Sequence, residues 1–303
     1  MSGRDLFLNS AGALRTPWRL ATFIIIAIAA TLIMLWLVSL VVPLSPPDSA
    51  AVTEKSFGTI VAASWAFVGG LLFAHFVMLR LVDRMPWSYV GLGRDQASIR
   101  RLGGGFILGA LTIGIPSLAL LSLDWLEPYP ASVVGAAEWL RFAAMMTWFL
   151  LPAALAEELM FRGYPFAVLR EKLGWQVSIV TTSVIFGLLH WQNPSAGLQP
   201  LVLVMLAGVF LAAILLVSGS LYAAWMAHFA WNWTMVALLH ADVSGVMPLP
   251  PPGYRIADAG PDWVTGGAWG PEGGAGAALG MGAAIYYLVY HRARIRRASL
   301  PDA

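Results

Sequence analysis

The sequence predicts an all-α, polytopic membrane helical bundle with about eight transmembrane helices. The 303 residues are 59% hydrophobic and only 11% charged, and the apolar residues fall in long runs. Several runs approach the ~20 residues that a bilayer span requires. Fourteen tryptophans, many near the ends of these runs, suit an interfacial belt. We interpret residues 1–303 as a single membrane domain.

Three apolar runs lie in the N-terminal part of the chain. Residues 20–42 are too long for the core of a signal peptide, so we expect a retained first span. Three prolines then end this helix, namely Pro43, Pro46 and Pro47. The second and third spans are expected at about 57–79 and 103–123. The arginine-rich segment 80–101 between them is typical of a cytoplasmic loop.

Five further spans are expected in the rest of the chain. One starts near Trp139, and the others cover about 176–191, 200–217, 221–240 and 274–290. Pro152 should kink the fourth span, and Pro165 should bend it again or end it. Ser218-Gly219-Ser220 predicts a tight connection between spans six and seven. Residues 241–273 are rich in Pro and Gly without a helical period, which favours an irregular extramembrane loop.

Charge and cysteine usage limit the location and the partners. Basic residues cluster near the N-terminus, in segment 80–101 and in the C-terminal tail, so eight spans place both termini in the cytoplasm. We expect an integral protein of a bacterial inner (plasma) membrane. Its partners would be membrane lipid and a peptide or membrane-protein substrate. The net charge of +2 gives no case for nucleic acid, and the lack of cysteine excludes thiolate catalysis and cysteine-based metal sites.

Ionisable residues interrupt the fourth span. Glu158 and Arg162 stand four apart on a helix, so they share a face and can pair. Glu157 points about 100° away from Glu158 and has no partner in its own segment. An ionisable side chain at mid-helix in lipid costs about 2.5–3.5 kcal/mol and faces a cavity or a partner. In a soluble helix the same residues would be an ordinary surface pair, but the apolar flanks argue against that interpretation.

Two later spans repeat the four-residue spacing. Phe186 and His190 share one helix face, and so do His228 and Asn232. Glu157 and His190 lie equally far from the Leu173–Gly174 turn, so an antiparallel hairpin would place them at similar depth. We interpret the other three histidines as interfacial residues: His75, His240 and His291.

Such a cluster permits peptide hydrolysis. A carboxylate and a neutral imidazole can hold and deprotonate a water molecule, and a second histidine with an asparagine amide can stabilise an oxyanion. Alternatively, Glu157, His190 and His228 could ligate zinc and leave one position for water. The usual His-Glu-x-x-His zinc helix is missing, so we predict no firm metal site, and zinc stays possible.

The ordered motifs resemble a known family. The CPBP (CAAX protease and bacteriocin-processing) family of intramembrane proteases, which includes the Ras-converting CAAX endopeptidase, has this pattern on successive spans. In this chain the motifs are Glu157-Glu158-x-x-x-Arg162, Phe186-x-x-x-His190 and His228-x-x-x-Asn232. The likeness covers about residues 139–240, which we interpret as the catalytic core spans.

The resemblance implies a role for each motif residue. Glu157 would be the general base that activates water with His190, and His228 with Asn232 would form the oxyanion hole. Glu158 and Arg162 would be a supporting pair. The family is often labelled a metalloprotease, and a metal-free glutamate mechanism is proposed for its CAAX-processing members, so both mechanisms stay open. The 241–273 loop lies outside the family pattern.

Other classes fit the sequence less well. Ser218-Gly219-Ser220 lacks the elbow of a serine protease, and no Gly-x-Gly-Asp string indicates an aspartyl protease. A transporter is expected to show internal repeats, which we do not find. The remaining alternative is a non-proteolytic scaffold or a bacteriocin-immunity protein on the same fold.

Overall fold

Eight long α-helices make up most of the computed structural model, which describes residues 6–10, 12–42, 54–130 and 134–298. They are α1 (Thr16–Ser39), α2 (Glu54–Phe76), α3 (Ile99–Ser122), α4 (Ala136–Arg162), α5 (Tyr164–Leu189), α6 (Leu198–Ser218), α7 (Leu221–Trp233) and α8 (Ala275–Ala298). The all-α class is therefore confirmed. The predicted stop at Pro43, Pro46 and Pro47 lies outside the described residues.

The surface of the bundle is apolar where a soluble protein would be polar. On α1, Ile25, Leu32 and Trp36 are each more than 60% exposed, and an apolar face of this extent fits lipid. Within the described ranges, five stretches are long and apolar enough to cross a membrane: Thr16–Ser39, Phe57–Val82, Ile99–Ser122, Ala136–Gln192 and Leu198–Ser218. The protein is therefore an integral membrane protein. The count of eight spans stays a prediction.

Small residues bring α3 against α7. Gly105 and Gly109 lie one turn apart on α3, where a Cβ atom would stand 2.2 Å from the carbonyl oxygen of Ala223 and 2.0 Å from that of Ala227. Side chains do not fit at these distances, so the two glycines allow close backbone approach. Since Ala227 directly precedes His228, this contact fixes the depth of the helix that carries His228.

The chain breaks sharply between α4 and α5, directly after Arg162. Gly163 has a non-helical ψ of −133°, and Pro165 falls in the first turn of α5. Of the two predicted outcomes at Pro165, the end of the fourth span is the one observed, and the bend is not. Pro165 instead lies in the first turn of the next helix, where a proline lacks only an N–H that has no partner there anyway. A second break lies at Gly174, with φ of 81°, at the predicted Leu173–Gly174 turn.

A buried histidine fixes the first break. His75 on α2 donates from Nδ1 to the carbonyl of Leu71 (2.8 Å) and accepts the backbone N–H of Tyr164 at Nε2 (3.0 Å). His75 is completely buried, so the prediction that it is interfacial is wrong. His240 is also buried and bonds the carbonyl of Tyr254 through Nδ1 (2.9 Å), so the same prediction is wrong there.

Two segments outside the predicted spans pair as a small antiparallel sheet. Strand β1 (Leu126–Pro130) lies beside β2 (Tyr254–Asp258). A one-turn helix at Asp262–Thr265 and a 3-10 turn at Pro271–Gly273 follow. Segment 241–273 is thus irregular only in part. The sequence does not predict these strands because neither shows a clear alternation of apolar and polar residues. In addition, β1 contains two prolines and pairs with a distant segment.

Candidate active site

Helix α4 carries a fully buried ion pair, as the spacing predicts. Nη1 of Arg162 donates to Oε1 of Glu158 at 3.1 Å, and both side chains are completely buried. The second terminal nitrogen of Arg162 donates to the carbonyl of Gly208 on α6 at 3.1 Å. The guanidinium also lies 4.6 Å from the centre of the Phe186 ring on α5. This one arginine therefore joins three helices beside the site.

His228 lies between the two carboxylates of α4. Its Nδ1 is 2.9 Å from Oε1 of Glu158, and its Nε2 is 3.6 Å from Oε2 of Glu157. A carboxylate acceptor at Nδ1 places a proton on that nitrogen, so Glu158 sets the orientation and the tautomer of the ring. The side chain of Glu157 is 33% exposed, whereas that of Glu158 is buried. The structure thus gives the two adjacent acids different surroundings.

His190 stands at the end of α5. Its Nδ1 donates to the carbonyl of Phe186 at 2.8 Å, so Nε2 keeps the lone pair that can accept a hydrogen bond. The Phe186 ring meets the His190 ring edge-on with centres 4.9 Å apart, and the His228 ring with centres 6.1 Å apart. Among the described residues, Glu157 and His190 share no hydrogen bond or ion pair, so their predicted cooperation stays a prediction.

Three of the four predicted catalytic residues line one narrow cavity. His190, His228 and Asn232 line it, together with Phe186 and others. The space open to the centre of a water molecule is about 30 Å³, which is enough for a bound water. Glu157 is not among the lining residues but approaches His228, which is.

The ion cluster leaves polar atoms without protein partners. In the described part of the chain, Oε2 of Glu158 and Nε of Arg162 are buried and accept or donate no hydrogen bond. Buried polar groups are nearly always paired, so each of these two atoms could take one more hydrogen bond than the described residues provide.

Two residues of the cavity wall were not predicted from the sequence. Ser244 and Glu272 both belong to segment 241–273 and line the cavity. Glu272 is only 8% exposed. An acid in a Gly-Pro-Glu-Gly-Gly string reads as a solvated loop residue, and no helical spacing connects it with the motifs. Only its contacts reveal its place in the site.

The donor set does not support a metal centre. Zinc would require Glu157, His190 and His228 to converge at ligand distance. The residues that the structure describes contain no group of three His, Cys, Asp or Glu side chains that could hold a metal ion. The metalloprotease prediction therefore has no support in this geometry.

The fold and the site together define an α-helical intramembrane protein with a buried glutamate–histidine cluster beside a water-sized cavity. Residues 139–234 match the family model of the type II CAAX prenyl endopeptidases, described as Rce1-like. This match confirms the resemblance to the CPBP family of intramembrane proteases that was drawn from the motifs. Neither the comparison with curated proteins nor that with solved structures finds a match.

Proposed function

We propose that the protein is an intramembrane endopeptidase that hydrolyses a peptide bond with a water molecule activated by Glu157 and His190. One observation carries this proposal. His228 is held between Glu157 and Glu158 and lines the same cavity as His190 and Asn232. The family match over residues 139–234 supports the reaction class.

The geometry supports a role for each side chain. Glu157, the more exposed acid, takes a proton from water, while the free Nε2 of His190 helps to hold that water. The resulting hydroxide attacks the carbonyl carbon of the peptide bond. With protons on both ring nitrogens, His228 donates from Nδ1 to Glu158 and from Nε2 to the oxyanion, beside the amide of Asn232. Glu157 then returns its proton to the leaving amine.

The matched family suggests the substrate class. Its members are described as CAAX prenyl endopeptidases, and we propose a membrane-associated peptide with a CAAX-type C-terminus as substrate. An internally quenched, farnesylated peptide ending in a CAAX sequence is the direct probe. Comparison of membrane peptides from cells that express the wild-type or an inactive variant would identify substrates of another sequence.

Glu157→Gln tests the base. The substitution keeps the shape of the side chain but removes the proton acceptor, so we expect peptide cleavage to fall by at least about 10³-fold with an unchanged melting temperature. Glu138→Gln, at an exposed acid in the first turn of the same helix, is the matched control and should cleave like the wild type. Full activity in Glu157→Gln would refute the assignment of Glu157 as the base. No cleavage of any membrane peptide by the wild type would favour a non-proteolytic scaffold.

Metal removal separates the two mechanisms. We propose the metal-free route because no three-ligand group is present among the described residues. A chelator should therefore leave the rate of peptide cleavage by the purified protein unchanged. A loss of activity that zinc restores would contradict this route and leave the endopeptidase assignment intact.

We also propose that both termini are cytoplasmic, as the arginine distribution favours. The chain contains no cysteine, so single cysteines report the side directly. Ser88 and Ser195 are exposed at opposite ends of the bundle. In intact cells, a membrane-impermeant maleimide should label Ser195→Cys and not Ser88→Cys. The reverse pattern would invert the topology.

A further inference from the structure

A buried carboxylate outside the matched segment closes the same cavity. Glu272 lies in the 3-10 turn Pro271–Gly273, just before α8, and lines the cavity with His190, His228 and Asn232. We infer that Glu272 is a positioning residue that holds Asn232 and His190 in their catalytic places, an inference that rests on the proposed endopeptidase function. Segment 241–273 would then be part of the active site.

Both oxygens of Glu272 accept hydrogen bonds from within the protein. Oε2 accepts from the indole N–H of Trp231 at 2.8 Å, and Oε1 accepts from the backbone N–H and the hydroxyl of Ser244, each at 2.7 Å. An ionised carboxylate is acceptor-only, so three donors match it. Hydrogen bonds to a charged group are about twice as strong as neutral ones. Glu272 therefore holds Trp231 and Ser244 together, and we call these three hydrogen bonds the clamp.

The two partners of this clamp lie next to catalytic residues. Trp231 directly precedes Asn232 on α7. The carbonyl of Ser244 accepts from the side chain of Asn193 at 3.0 Å, and Asn193 directly follows the 3-10 turn His190–Gln192. Glu272 thus connects the helix that carries Asn232 with the turn that carries His190, two elements that the reaction needs in fixed relation.

The clamp is itself anchored. On α6, the side-chain amide of Gln199 donates to the carbonyl of Gly273 at 2.9 Å and to that of Trp263 at 2.8 Å. The turn that presents Glu272 therefore has a fixed position against the start of α6. A displacement of about 1 Å in a catalytic group costs on the order of 10²-fold in rate, so a rigid clamp has a direct kinetic consequence.

Glu272→Gln is the first test. The substitution replaces one carboxylate oxygen with an amide nitrogen, which is a donor. This nitrogen must face either the indole N–H or the two Ser244 donors, so at least one hydrogen bond is replaced by a donor–donor contact. We expect kcat for the cleaved peptide to fall on the order of 10²-fold, with KM within about threefold because uniform binding is kept. Trp231→Phe keeps most of the ring and removes the N–H, and should lower kcat about tenfold. Asp262→Asn, at an exposed acid of the same segment, is the control.

The double variant separates positioning from general destabilisation. If Glu272 acts through Trp231, adding Trp231→Phe to Glu272→Gln lowers kcat by less than about twofold more. Additive losses would overturn the inference, as would a wild-type kcat in Glu272→Gln. If Glu272→Gln does not fold, Trp231→Phe decides alone, and a wild-type kcat there rejects the clamp. If the wild type cleaves no membrane peptide, the proposed function fails and the clamp fails with it. If the wild type cleaves and Glu272→Gln keeps its kcat, only the clamp fails and the endopeptidase proposal stands.

Discussion

Two polar clusters lie within this bundle, and they differ in how completely their buried atoms are paired. The first, which we call the Arg19 cluster, joins Arg19, Asp83, Tyr164 and Glu171. Arg19 donates to Oδ2 of Asp83 through Nη2 (2.6 Å) and Nε (3.1 Å), and to Glu171 through Nη1 (3.1 Å). The hydroxyl of Tyr164 donates to the same oxygen of Asp83 at 2.6 Å. Every charged group here has a direct partner.

The second cluster, at the site, is built differently. Glu158 and Arg162 each keep one buried polar atom without a partner among the described residues, and Glu157 reaches His228 only at 3.6 Å. A protein that buried these charges only for stability would gain by completing the hydrogen bonds, as the Arg19 cluster does. The charged groups of the Arg19 cluster are thus paired with one another, whereas the site cluster could still take hydrogen bonds, as the proposed reaction with water would need.

Asn232→Ala gives the largest effect in this comparison. Loss of one oxyanion donor should lower kcat by about 10²–10³-fold, or about 2.7–4 kcal/mol of transition-state stabilisation. Because Asn232 makes no hydrogen bond among the described residues, its loss should leave the melting temperature unchanged. Peptide cleavage and thermal unfolding in detergent measure the two quantities. A lower melting temperature with an unchanged kcat would show that Asn232 serves stability and not the reaction. The difference drawn between the two clusters would then be wrong.

Asp83→Asn tests the opposite cluster. The substitution removes the charge that balances Arg19 and weakens three hydrogen bonds, and Glu171, with a half-exposed side chain, compensates only in part. We expect the free energy of unfolding to fall by about 2–3 kcal/mol. The kcat per folded molecule should not change. A selective loss of kcat with full stability would show that this cluster also serves the reaction.

The sequence reveals the site cluster better than the Arg19 cluster, for a physical reason. Glu158 and Arg162, like His228 and Asn232, lie four apart on single helices, and helical geometry converts that spacing into a shared face. Arg19 and Asp83 meet across 64 positions, and no local period encodes such a contact. His75 is missed for the same reason, since its partner Tyr164 lies 89 positions away.

Segment 241–273 shows the same limit at the site itself. Its Pro and Gly content correctly predicts an end of helical structure after α7, and the pairing of β1 with β2 depends on contacts between distant segments. Glu272 becomes a candidate positioning residue only through Trp231 and Ser244, which stand 41 and 28 positions away. The four predicted catalytic residues therefore follow from motif spacing, and the wall that surrounds them follows from tertiary structure.

Tyr89→Phe is the smallest and sharpest change in the Arg19 cluster. The hydroxyl of Tyr89 donates to Glu171, and burial, followed by that carboxylate, raises the pKa of Tyr89 to about 12 from its ordinary 10. The folded state therefore holds this proton more tightly than the unfolded state, so the stability that it contributes is complete below about pH 10 and is lost as the pH rises to 12. Below pH 10, Tyr89→Phe should cost only about 0.5–1 kcal/mol, because the contact is partly exposed. Between pH 10 and 12 the wild-type melting temperature should fall more steeply than that of the variant. Parallel curves over this range would show that Tyr89 is not coupled to the Arg19 cluster.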